Sequence, residues 1–482
     1  MNRVEAGYFY RELDLRIPRP LLSTYMSFLE NSLVAPYREK VESVVRAIRR
    51  GNEVLMVRYK DEKGNPFAEV VVEAGERPRV WVTPLSPRVR AEEADEAIRA
   101  VELATLSFLE SKSDARIYFV FVKRMKFVKE GIETVKQKMI QKLFFGNMFL
   151  LFMISLLFAW MIFMVAGMYA FIIIPLSNLF LLVFADKIVE SLGDWKLSED
   201  NRHVYLVCYS MPVSEYKEFM RLHYPRRFEI KRRIYEETLA KGKDIDMESV
   251  IKVFQEMGIP VDDRHRVSII KRDVYGMVKR VFSSYGLPIP RVVVWNIALP
   301  NAAATGIVHK LSVVLITSGL LAKLDNDEIE AVIGHEASHV KNHDPFMLFI
   351  ISLFEYALRI WVFMTFWYIM ANLLIELAYL FIALTALYFI AKFFEARADL
   401  EAAYITGKPS SLARALKKIG LRKLLLERYP RVPLEGWLSM DPHPPVSWRI
   451  MRLERLSPFV RERPFLASAR DCVMGLIRSL IR

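Results

Sequence analysis

His335, Glu336 and His339 stand within the run AVIGHEASHVKNHDP. On a helix, residues four apart share a face, so both imidazoles can turn toward one ion with Glu336 beside them. Two nitrogen donors and an adjacent carboxylate suit a hydrolytic zinc. The nitrogens hold the metal, one coordination position is left for water, and the carboxylate takes the water's proton. Ala331, Val332, Ile333, Ala337 and Val340 supply an apolar bed for that helix. Three residues at fixed offsets also arise by chance, so the rest of the chain has to decide. His343 continues the stripe, but the glycine turn and longer spacing of a three-histidine site are absent, and it reads as a helix-end residue.

A third ligand must come from elsewhere. In AKFFEARADLEAA, Ala391–Ala403, Glu395 and Asp399 share a helix face. Glu395 could ligate the metal, and Asp399 could orient a ligating histidine from behind. Solvated helix surface is the alternative for both. Position argues for the site, because one apolar run separates the two helices and returns the chain to the face it left.

The elements that must position these residues are largely membranous. Hydrophobic residues make up 53% of the 482 and charged ones 26%, with a mean hydropathy of +0.19. The apolar excess is concentrated. Leu143–Ala185 holds no Asp, Glu, Lys or Arg, and Phe346–Ala391 holds only Glu355, Arg359 and Glu376. About 20 apolar residues cross a bilayer, so each run predicts a hairpin of two transmembrane helices. The first would turn at Ala166–Tyr169, the second at Ala371-Asn372. Lys136, Lys138, Lys142, Lys392 and Arg397 flank the runs, and neither tip carries Lys or Arg. The positive-inside rule then predicts an integral, multi-pass protein of the cell membrane with both termini and the site in the cytoplasm. A net charge of +13 fits an anionic leaflet, and no nucleic-acid motif is present. No cleaved signal peptide is expected from MNRVEAGYFYRELDL. Cys208 and Cys472, far apart, offer neither a disulfide framework nor a metal pair.

The expected fold class is α+β: a polytopic helical membrane protein with four transmembrane helices, a core that carries the candidate zinc site and an N-terminal domain. Residues 1–142 form that α+β cytosolic domain, with a helix over Pro20–Val34, strands over Glu53–Asp61, Ala68–Ala74, Arg79–Thr83 and Arg116–Lys123, and a helix over Ala91–Lys112. Residues 143–185 are the first hairpin, and 186–261 a charged, mostly helical segment. Residues 262–345 are the first part of the core, with a long helix over Asp262–Tyr285, β-runs at Arg291–Trp295 and Ser312–Thr317, and the helix Asn326–His343. Residues 346–391 are the second hairpin and 392–482 the rest of the core. Glu355 and Arg359 form an i,i+4 pair inside the membrane, either functional or self-neutralised. Arg470–Arg482 mixes apolar and Arg residues at helical spacing, fitting a membrane surface or a docked helix.

HEASH followed by NHD, EARAD after a membrane hairpin, NAAATG at Asn301–Gly306 and HPPVSWR at His443–Arg449 together resemble the HtpX-like integral-membrane zinc peptidases. These are relatives of the endopeptidases that process prenylated CaaX proteins. The resemblance covers roughly Asp262–Leu456. It implies one zinc per chain on His335, His339 and Glu395, with Glu336 as general base. It places Asp399 at the second acidic position and implies that Asn301, Ala302, Ala303 and Ala304 form an edge strand aligning substrate. His443 would donate to the oxyanion and Arg449 brace the acidic residues; a proline-flanked histidine is equally at home in a turn. The substrates implied are polypeptides, membrane proteins above all, in quality control at the lipid bilayer. A processing protease for one prenylated or signal-type substrate, and a silent scaffold, are the other readings. Ala391-Lys392 departs from the family's Ser-Arg, leaving an arginine role there without a residue.

Overall fold

The computed structural model describes residues 2–4, 7–89, 91–112, 114–124, 148–262, 265–427, 434–456 and 462–481. They form two compact units, one of Met1–Ser113 with Gly420–Arg431 and one of Asp114–Ile419 with Val432–Arg482.

The first unit is a six-stranded antiparallel sheet with two helices. Its strands are β1 (Asn2–Val4), β2 (Tyr8–Glu12), β3 (Val41–Arg49), β4 (Asn52–Lys60), β5 (Pro66–Glu73) and β6 (Arg79–Pro84), in the order β1-β2-β6-β5-β4-β3. Ala68, Val70 and Val72 alternate into the core, the period of a half-buried strand. Val70 and Val72 meet Tyr25, Met26, Leu29 and Leu33 of α1 (Leu22–Val34) and Ala94, Ile98, Val101 and Phe108 of α2 (Ala91–Lys112). β3 and β4 are joined through Arg50 and Gly51, both left-handed at φ 51° and 82°, as a tight hairpin turn requires. The helices and central strands expected from sequence are present. β1, β2 and β3 were not expected.

In the second unit, β7 (Ala115–Val122) pairs with β9 (His203–Met211), which pairs with β10 (Arg266–Asp273). This corrects two expectations. The strand expected at Arg116–Lys123 forms, but outside the N-terminal sheet. The long helix expected over Asp262–Tyr285 is a strand up to Asp273 and a helix, α5 (Val274–Ser284), only afterwards. Asp273 accepts from Gly276 N at 3.0 Å and caps that helix. Lys136, Lys138 and Lys142 lie outside the described residues.

Apolar helix comes next: α3 (Met148–Ala166) and α4 (Ala170–Val183), interrupted at Gly167, whose φ is +53°. The rings of Phe163 and Phe171 stand 6.3 Å apart, although eight residues of straight helix would separate them by about 12 Å. A four-stranded sheet follows in the order β12-β13-β11-β8, from β8 (Trp195–Leu197), β11 (Arg291–Trp295), β12 (Ala302–Thr305) and β13 (Val313–Thr317). β11 and β13 are parallel and β12 is an edge.

Against this sheet lies α6 (Asn326–Lys341), opened by a capping box between Asp325 and Glu328. The chain turns at His343 (φ 53°) into α7 (Asp344–Thr365), and then α8 (Leu373–Thr406) runs back to cross α6. Gly334 makes the crossing close: a Cβ there would lie 2.7 Å from Thr406 Cγ2. α9 (Val446–Glu454) and α10 (Pro464–Ile481) pack on α8. Among the described residues, three helical stretches are long and apolar enough to cross a membrane: Leu157–Val183, Asp344–Thr365 and Leu373–Thr406.

Candidate metal centre

α6 buries Ile329, Ile333, Ala337 and Val340 together with His335, and carries Glu336 and His339 half-buried beside it. α8 brings Glu395 and Asp399 against them. His335 Nε2 and His339 Nε2 are 3.2 Å apart, His335 Nε2 lies 3.3 Å from Glu395 Oε2, and His339 Nε2 lies 3.4 Å from Glu395 Oε1. Two ligands on a tetrahedral ion at about 2.1 Å are separated by about 3.4 Å. The three donors therefore already have the spacing of one metal's ligand set. Glu395 Oε2 is buried and accepts no hydrogen bond among the described residues, a lone pair a cation would satisfy. Two imidazoles and a carboxylate are donors that suit zinc.

Each histidine is braced from behind. His335 Nδ1 is 3.0 Å from Asp399 Oδ1, and His339 Nδ1 is 2.7 Å from Asp344 Oδ2. Arg449 grips Asp399 with two bonds of 2.8 and 2.7 Å and reaches to 3.4 Å from Glu395. Arg397 donates to Asp344. Burial alone would lower the histidine pKa values, but Asp399 and Glu395 outweigh it at His335, pushing it up to about 8. Asp344 and Glu395 do the same at His339, up to about 10. A cation would compete with protons for these nitrogens. Burial raises the Glu336 pKa, which makes its carboxylate a better base.

The edge strand lies over the base: Ala304 N donates to Glu336 Oε2 at 2.8 Å. Asn301 Oδ1 accepts from Ala302 N, and Thr317 Oγ1 accepts from Asn301 N, fixing the start of β12. Ala302 and Ala303 pair with Ile316 and Leu315 of β13. His443 is exposed, held by Asp441 at 3.0 Å, with its Nε2 3.6 Å from Glu395. Lys392, buried, donates to Ser439 O at 2.7 Å and ties down the loop that bears His443. His335, Glu336, His339, Glu395, Asp399, His443, Arg449 and Ala304 thus lie together, with Asn301, Ala302 and Ala303 on the same edge strand as Ala304. His343 does not join them; its Nδ1 bonds the Ile307 carbonyl. Asp344, Arg397 and Lys392 were missed. Asp344 follows a left-handed residue, so no helical spacing connects it to His339.

Residues 269–457 match the profile of peptidase family M48. The chain is 32% identical over 211 residues to "Protease HtpX homolog 2" of Methanosarcina mazei, covering 38% of this chain and 72% of that protein. A "Protease HtpX homolog" of Gemmatimonas aurantiaca is 30% identical over 211 residues, 38% of this chain and 76% of its own length. The crystal structure of S. mikatae Ste24p overlaps 50% of this chain and 65% of its own at 16% identity and a TM-score of 0.33, a likeness on which no argument rests. Apolar helices and these relatives define a membrane metallopeptidase. The chain belongs to peptidase family M48, among its HtpX-like members.

Proposed function

We propose that this chain is a zinc-dependent endopeptidase cleaving polypeptides at the cytosolic face of a membrane, in the quality control of membrane proteins. The observation that carries the reading is the triangle of His335, His339 and Glu395 donors at 3.2–3.4 Å, with the half-buried Glu336 on the same helix. Zinc held there would supply Lewis acidity toward a scissile carbonyl and toward water, making a water acidic enough to react near neutral pH. Glu336 accepts the proton of the attacking water and passes it to the leaving nitrogen. Ala304 N–H orients that carboxylate at rest. The β12 edge lines up an extended substrate by backbone pairing. His443 donates to the oxyanion, and Arg449 keeps Asp399 and Glu395 ionised and in place.

Four crossings are proposed: α3 and α4 as a short pair turning at Gly167, then α7 and the apolar part of α8. Lys392 and Arg397 are engaged in internal contacts. The orientation therefore rests on Lys136, Lys138, Lys142 and Lys187 beside the first hairpin, and on tips without Lys or Arg.

The test compares detergent-purified wild type with Glu336→Gln, measuring bound metal by elemental analysis and cleavage of an unfolded test protein. The expected result is about one zinc per chain in both and cleavage by the wild type alone. Zinc in neither, or equal cleavage by both, overturns the reading in favour of a silent scaffold. A single narrow cleavage site would instead point to a processing protease.

A further inference from the structure

α10 is apolar on two faces. One is docked: Ala467, Ser468 and Cys472 are buried, and a Cβ on Gly475 would lie 2.4 Å from the Trp437 ring. Leu476 packs with Phe389, Phe393 and Trp448 around Cys472. The other face carries Leu466, Val473, Met474, Ile477, Leu480 and Ile481, each between 40 and 80% exposed. At about 100° per residue, Leu466, Val473, Ile477 and Leu480 form one stripe roughly 110° around the helix from Cys472. A helix with two apolar faces requires apolar surroundings for each. The docked face has the protein; the outer stripe needs another partner.

The level at which α10 crosses α8 identifies that partner. Phe465 packs edge-on against Phe393 with ring centroids 5.0 Å apart. Phe393 directly follows Lys392, the first charged residue after Glu376 along the apolar part of α8. α10 therefore lies where α8 passes from its exposed apolar stretch into the buried peptidase core. At that level an apolar stripe faces the boundary between headgroups and acyl chains. Arg470 is exposed at the edge of the stripe, bonded to Glu462 and Asp471, and Arg478 is exposed further round the helix, within reach of anionic headgroups.

We propose that α10 is an in-plane membrane helix, docked on α8 by its Cys472 face and seated by its outer stripe in the interfacial region of an anionic bilayer. It would fix the height of Glu395, two residues from Phe393, above the lipid. The proposal does not depend on the site being active, so the metal and cleavage test above can fail without touching it.

The test uses the full chain in nanodiscs containing one-third phosphatidylglycerol. An environment-sensitive fluorophore is attached at Val473→Cys, Ile477→Cys or Leu480→Cys, and at Lys63→Cys in an exposed turn of the N-terminal unit as the reference. Both native cysteines are buried, so the introduced thiol is the one available for labelling. At the three helix positions, quenching by lipid spin-labelled near the headgroup end of the acyl chain should exceed that at Lys63→Cys at least twofold, with iodide quenching lower by a similar factor. Equal iodide quenching at all four sites would overturn the proposal. So would protection from both quenchers accompanied by a disulfide-linked dimer through Ile477→Cys, which would make a second copy of the chain the partner.

Discussion

At the scale of single residues, the neighbours behind the two histidines set how tightly a metal can be held. Asp344 is the first residue of α7, yet it bonds the back of His339 and receives Arg397 from α8. Asp344→Asn keeps the size and loses the charge that orients His339, so zinc affinity should fall about 10–100-fold, read by competition with a fluorescent chelator. His343→Asn should leave that affinity within about twofold. Asn tolerates the left-handed backbone, and His343 touches the Ile307 carbonyl instead of the ligand set. A tenfold loss in His343→Asn would make it a ligand after all. The contrast shows what the sequence could carry. His335 and His339 were legible because four residues along a helix is a fixed geometry. Glu395 was legible because a hairpin must return to where it started. Asp344 was not, because the reversal at His343 depends on one residue's φ. Lys392 looked like a mere departure from a family pattern until its buried amine was found on the Ser439 carbonyl.

Elements explain the misread stretch. Val267, Ile269 and Ile270 run on toward Val274, Met277, Val278 and Val281, and together they imitate one helical period. What separates strand from helix is Asp273, which caps α5 and pairs with Arg202 at 3.0 and 2.6 Å. β7 shows the same limit differently. Its own alternation marks a strand, but its partner lies beyond the first apolar run, and nothing local names that partner. Asp273→Ala removes cap and pair together and should cost about 1–2 kcal/mol near pH 7, the pair being partly solvated. Burial alone would raise the Asp273 pKa, but Arg202 and the Gly276 N–H outweigh it and hold it low. A depressed folded pKa gives stability that is present above the ordinary carboxylate value near 3.9 and is lost as pH falls through the folded value. Denaturation midpoints in detergent should thus separate wild type from Asp273→Ala at pH 7 and draw together below about pH 4. A gap unchanged at low pH would mean that packing, not charge, makes the difference. The α8–α9 clamp is expected to be more severe. Arg449→Met leaves Asp399 buried without its guanidinium, and breaking a buried pair costs about 3–5 kcal/mol.

On the scale of the whole molecule, the N-terminal unit is discontinuous in sequence. Residues 420–431 leave the peptidase part after the helix Pro409–Ile419 and belong to the unit built by residues 1–113. The helix Leu421–Glu427 packs against α2 and buries Leu421 and Leu424. A domain that were only an appended module would be joined at one end; this one is joined at residues 113–114 and again through the 420–431 excursion. Truncation is therefore not a clean experiment on regulation. Deleting residues 1–113 removes the partner of Leu421 and Leu424, and burying a leucine side chain stabilises by about 1.5–3 kcal/mol. The truncated chain should be cut by a soluble protease within residues 420–427 at least tenfold faster than the intact chain, with the rest of the peptidase part still resistant. Restoring a polar surface with Leu421→Ser and Leu424→Ser in the truncated chain should reduce its self-association in detergent without slowing that cut. Equal protease resistance of intact and truncated chains would show that 420–431 folds with the peptidase part by itself. The N-terminal unit could then be removed as a module, and its influence on cleavage measured directly.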